Sequence, residues 1–107
     1  MTTKGFFISR IEIKNEIQRN LAARNSWQAR YVKAANNGNT EQATITKARA
    51  VRSEHRTQSI MDFLSIACDV EMECEYEYSD IIEGFHPVTS VYIKWNPDEL
   101  EKVEIEH

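Results

Sequence analysis

The chain opens with an alternating segment. In Gly5-Phe6-Phe7-Ile8-Ser9-Arg10-Ile11-Glu12-Ile13, the positions Phe7, Ser9, Ile11 and Ile13 share one side, and β-branched and aromatic residues dominate. A period of two with that composition predicts a strand over residues 5–13. The period then changes. Asn15 reads as a helix N-cap answered by Gln18. Ile17, Leu21, Tyr31 and Ala35 recur at helical spacing with Trp27 beside them, interrupted by Arg24 and Gln28, which predicts a helix to about Ala35.

Asn36-Asn37-Gly38-Asn39 is the strongest break in the pattern. Gly38, or an Asn beside it, can take the left-handed conformation that ends a helix. Asn39 with Gln42 repeats the Asn-x-x-Gln pattern and starts a second helix, expected to run to about Val70. Two long helices joined by so short a link are antiparallel neighbours, an αα-hairpin. In the second helix, Asp62, Ser65 and Asp69 form a narrow polar stripe, surrounded by Ile60, Met61, Phe63, Leu64, Ile66 and Ala67, so that half is expected to be buried. The earlier half is polar. There Arg49, Arg52 and Arg56 fall within roughly 60° of one another at about 100° per residue, with Ile45, Ile60 and Phe63 near the same side. The arginines continue an apolar stripe, as a contact surface would.

The last third alternates again. In EMECEYEY, Glu71, Glu73, Glu75 and Glu77 share one face, while Met72, Cys74, Tyr76 and Tyr78 are expected to turn toward the helices. Asp80 to Phe85 reads as a connection containing Gly84. Val88 to Trp95 is a second strand, with Val91, Ile93 and Trp95 on one side. Asn96-Pro97-Asp98 is a turn. Leu100 to Glu106 is a third strand, with Val103 and Ile105 opposite Lys102, Glu104 and Glu106. The expected fold is α+β in a single domain over residues 1–107. It has an N-terminal strand, a long antiparallel αα-hairpin (about 16–70) and a C-terminal three-stranded antiparallel meander, in a sheet of three or four strands. A helix of about 30 residues is roughly 45 Å long, whereas a strand of about seven spans roughly 23 Å. The hairpin should therefore project beyond the sheet, leaving Trp27 and Tyr31 short of local core. A second copy of the chain is the simplest cover, which predicts a homo-oligomer, a dimer or higher, with those two residues in the contact.

Composition narrows the functional classes. With 107 residues, 41% of them apolar, and only three glycines and two prolines, one modest core and little irregular loop are expected. No apolar run approaches the ~20 residues of a membrane span. Arg10 and Glu12 interrupt the N-terminal apolar segment, so no signal peptide is read there, and a cytoplasmic location, in the protein's own or a host cell, is expected. Cys68 and Cys74 read as small buried thiols. The net charge of −4 conceals a division: residues 1–60 carry +7 and residues 61–107 carry −11. In size and acidity the chain is similar to small accessory proteins of phages and mobile elements that block host defence complexes, although no motif carries that likeness.

Two charged surfaces follow. Glu71, Glu73, Glu75 and Glu77, with Glu104 and Glu106, would form an acidic sheet face, partly neutralised by Lys94 and Lys102. Their spacing is close to a nucleic-acid phosphate repeat, so the face can dock on a partner's basic surface or simply be solvated. Lys47, Arg49, Arg52 and Arg56, with Arg24, Arg30 and Lys33 from the first helix, would form a basic arm for nucleic acid or phosphorylated ligands. His55, His86 and His107 have no companions at metal-ligand spacing, and no phosphate loop, nucleophile elbow or catalytic triad context occurs. Four equivalent exposed carboxylates also lack the differing environments that separate an acid from a base. The residues therefore point to a non-enzymatic oligomeric interaction module without cofactor or metal, acting through its acidic sheet as an inhibitor or accessory protein. The alternative is anion binding through the basic arm.

Overall fold

The computed structural model describes residues 9–77 and 85–104. Its elements are α1 (Arg10–Asn36), α2 (Thr40–Ala67), β1 (Glu71–Tyr76), β2 (Val88–Asn96) and β3 (Glu99–Glu104). The architecture is α+β, a two-helix antiparallel hairpin followed by a three-stranded antiparallel sheet of order β1-β2-β3.

The expected N-terminal strand is not seen among the described residues, and its last four positions are helical. Residues 5–8 lie outside the described residues, but Arg10 to Ile13 form the first turn of α1. Ser9, not Asn15, is the N-cap. Its Oγ accepts the Glu12 amide proton at 3.2 Å, and the Glu12 carboxylate accepts from the Ser9 amide at 3.4 Å. This reciprocal Ser-x-x-Glu box satisfies amides that a helix start would otherwise leave orphaned. Alternation lost to the i, i+4 row: Ile13, Ile17 and Leu21 are buried, while Ile11 is 66% exposed. Ser9→Ala is expected to cost about 1 kcal/mol in a urea melt without changing the fold.

The hairpin turn follows the expected chemistry. Gly38 has φ +70°, a conformation an L side chain rarely adopts. The amides of Asn37, Gly38 and Asn39 bond back to carbonyls of Lys33, Ala35 and Ala34, closing the C-terminus of α1. The Asn39 side chain then caps α2 by accepting from the Gln42 amide at 3.2 Å. α2 ends at Ala67, short of Val70. Asp69 turns left-handed at φ +52°, and Ser65 Oγ donates to the Val70 carbonyl at 2.6 Å, which redirects the chain into β1.

The sheet packs one face on the helix ends remote from the hairpin turn. Ile13, Ile17 and Leu21 of α1 and Met61 and Leu64 of α2 meet Val88, Val91, Ile93 and Val103, and Met72, Cys74 and Trp95 border them. Met72 and Cys74 turn inward as the alternation predicts. Tyr76 does not: a register shift after Glu75 pairs it with Val88, and it is 57% exposed. Arg10–Glu99 and Lys14–Glu101 ion pairs tie α1 to β3. The molecule measures 56 × 27 × 23 Å, its length set by the hairpin.

One polar connection crosses the interior. Arg24 and Glu54 are 1% and 3% exposed. Arg24 Nη1 donates to Glu54 Oε1 at 2.9 Å, and Glu54 Oε2 accepts from the Val88 amide at 3.1 Å and from Gln58 Nε2 at 2.9 Å. Burial lowers the Arg24 pKa, and Glu54 pulls it back up. The pair joins α1, α2 and β2 at one point.

Candidate functional site

Among the described residues, a group of cations without ion-pair partners lies on one flank of the hairpin. Positions 45, 49, 52 and 56 fall on one side of α2, turned away from the buried row Ala50, Glu54, Thr57, Met61 and Leu64. Facing them across the helix pair are Ala23, Trp27, Arg30 and Ala34 of α1. The buried pairing of Arg24 with Glu54 sets this alignment and brings Trp27 level with Arg49.

Two adjoining grooves result, and they share Trp27 and Arg49. One, of about 560 Å³, is walled by Arg49, Arg52 and Arg56 over Asn20, Ala23 and Ser53. The other, of about 550 Å³, runs toward the hairpin turn between Arg30 and Lys33 on one side and Ile45 and Arg49 on the other. Small side chains at Ala23, Ala34 and Ser53 keep the floor open. The guanidinium carbons of Arg30 and Arg49 lie 4.6 and 4.9 Å from the centre of the Trp27 ring. Stacking of this kind restrains a long side chain while leaving its N–H edge free to donate. Among the described residues, no carboxylate lies within ion-pair distance of Arg30, Lys33, Arg49, Arg52 or Arg56.

Two of the predicted basic residues do not belong here. Arg24, expected to extend the patch, is buried on Glu54. Lys47 lines neither groove, because it sits on the other side of α2. Trp27 and Tyr31 are half-buried, and the chain itself supplies cover that the sequence did not suggest: Phe85, 6% exposed, packs with Ala50 against Trp27, Tyr31 and Val51.

The acidic face carries the lysines that its sequence implies. Glu71, Glu73 and Glu75 do project on the open side of the sheet, but β2 and β3 place bases and donors among them. Lys94 lies 3.8 Å from Glu71, and Lys102 lies 3.8 Å from Glu75 and 3.5 Å from Glu104. Glu75 also accepts from Ser90 Oγ at 2.9 Å and from Tyr92 at 3.2 Å. The Lys102 pKa is raised, chiefly by Glu104 and then by Tyr92. Glu73 and Glu77 are exposed, and Glu106 lies outside the described residues.

Cys68 and Cys74 are half-buried free thiols, and burial raises both pKa values. Among the described residues, no group of three or more His, Cys, Asp or Glu is placed to hold a metal ion, and no helix is long and apolar enough to cross a membrane.

Glu54 and Phe85 were missed by sequence reasoning. Glu54 did leave a signal: it is the acid within the basic run from Lys47 to Arg56, and it stands in the 50-54-57-61-64 spacing of the buried row. Phe85 left none, because it lies in a connection with no period. No protein-family model, curated protein or solved structure matches the chain.

Proposed function

We propose that the chain is a non-enzymatic binding module that holds a phosphate-bearing ligand on the arginine flank of its hairpin. The observation that carries this reading is the set of five cations, Arg30, Lys33, Arg49, Arg52 and Arg56, which line two grooves sharing Trp27, two of them over its ring, without carboxylate partners among the described residues. Cations left unpaired and partly immobilised are prepared for charge-assisted hydrogen bonds with phosphate oxygens.

A second reading keeps the acidic sheet as a docking face for a protein with a basic surface. It is supported by the open side of the sheet, where Glu71 stands in one row across the strands with Lys94 and Leu100, which is 64% exposed. Lys94 and Lys102 weaken it by neutralising their neighbours. Self-association of the hairpin through Trp27 and Tyr31, which stay half-buried with Phe85 in place, is compatible with either reading.

The test exploits the sign of the net charge. A protein of net charge −4 should flow through phosphocellulose at pH 7 unless a local basic surface holds it. The native chain is expected to be retained at low salt. Arg49→Ala/Arg52→Ala/Arg56→Ala should flow through with an unchanged circular dichroism spectrum, and its affinity for a phosphorylated polymer should fall by at least about a hundredfold. Retention of the triple variant would remove the flank from consideration. Glu71→Lys/Glu73→Lys should leave retention intact under the first reading and abolish docking on a basic protein under the second.

A further inference from the structure

Resting on the phosphate-binding reading, we infer that the ligand is single-stranded nucleic acid. It would lie along the groove between α1 and α2, with its backbone on Arg49, Arg52 and Arg56 and its bases against the Trp27 end. The first argument is linear extent. With Trp27 level with Arg49 and Arg24 level with Glu54, the flank from Lys33 to Arg56 covers about 18 Å of helix. Arg49, Arg52 and Arg56 follow one another at axial steps of about 4.5 and 6 Å. A small phosphorylated molecule meets one or two of these cations, whereas an extended polyanion meets all five.

The second argument is width. Packed helix axes lie about 8–10 Å apart, so the groove between them admits one strand. A duplex can only rest on its rims, and an arm two helices wide, about 20 Å, does not enter a major groove of about 12 Å. The third argument is the floor. Trp27, Ala34 and Ile45 give the turnward groove an apolar lining, and the guanidinium carbons of Arg30 and Arg49 lie 4.6 and 4.9 Å from the centre of the indole ring. Flat aromatic and guanidinium surfaces suit unstacked bases regardless of sequence. Inorganic polyphosphate, sulfated sugars and acidic peptides have nothing to place there.

Fluorescence anisotropy should be measured with labelled oligothymidylate, a DNA duplex of equal phosphate number, heparin and polyglutamate. The oligothymidylate is expected to bind at least about tenfold more tightly than the others, with a slope of log K against log salt of about −3.5 for five contacts. Arg52→Ala should flatten that slope by about 0.7. Trp27→Ala should weaken binding about tenfold with the slope retained, and Trp27→Tyr should restore most of the loss. Because Trp27 also packs on Ala50, a second measurement leaves it in place: in Trp95→Phe, the emission of Trp27 should be quenched by oligothymidylate and not by heparin. Equal binding of oligothymidylate, duplex and heparin would overturn the single-strand inference and leave the phosphate reading standing. A preference for polyglutamate, or no binding to any of the four, would overturn both.

Discussion

Glu54→Ala is expected to destabilise the protein by about 3–5 kcal/mol, a large part of the folding free energy of a domain of this size. The cause is the charge left behind. Arg24 is 1% exposed, and no described carboxylate other than Glu54 lies within ion-pair distance of it. Removing Glu54 strands a guanidinium in the interior and also takes the acceptor from the Val88 amide. Glu54→Gln should recover little, because one carbonyl oxygen cannot serve both Arg24 and Val88 while its NH2 group faces donors. Arg24→Met combined with Glu54→Gln should recover most of the loss, since the stranded charge is gone and Val88 keeps an acceptor. Urea denaturation of the three variants gives this order directly. A double variant as unstable as Glu54→Ala would show that the pair contributes through packing and not through charge. The same pair aligns α1 with α2, so a folded variant with a slipped hairpin should also lose the Trp27–Arg49 stack.

The legible and illegible parts of the chain differ in the range of the interactions that decide them. The hairpin turn was readable because Gly38 and Asn39 act on backbone groups within a few residues. The meander was readable because Val91, Ile93 and Val103 alternate with polar residues, and Pro97 marks the turn. Residues 10–13 were misread because Ile13 satisfies both periods, pairing with Ile11 at a spacing of two and with Ile17 at a spacing of four, and only the Ser9–Glu12 box decides between them. The basic flank was visible as an arginine stripe, but its membership was not. Arg24 was separated from it by the direction in which α1 faces α2, which depends on a contact between residues 30 positions apart, whereas helical phase alone places Lys47 on the opposite side of α2 from Arg49. The acidic face was legible only in part. The neutralising lysines were visible, but the register that threads Ser90 and Tyr92 onto Glu75 is a tertiary fact.

Phe85→Ala is expected to cost about 3 kcal/mol or more and to act on the flank as well as on the fold. Phe85 is 6% exposed and packs with Ala50 where the hairpin passes beyond the main core. The half-buried Trp27, Tyr31 and Val51 pack against the cluster that it forms with Ala50, so its ring helps to fix the surroundings of the indole that carries the arginine stack. The larger cluster around Leu21, Val91 and Ile93 does not include these positions. Loss of the Phe85 ring should therefore loosen the projecting part selectively: faster amide exchange around residues 46–51, a red shift in Trp27 emission, and little change at Val91 or Ile93. Phe85→Leu, which retains much of the buried volume, should cost about 1 kcal/mol. Affinity for an anionic ligand should fall in Phe85→Ala although no cation is removed, because Arg30 and Arg49 lose a fixed indole beneath them and must be ordered on binding. If exchange rises equally throughout α1, α2 and the sheet, the hairpin and its flank form one cooperative unit with the core, and Phe85 is no more than an ordinary core residue.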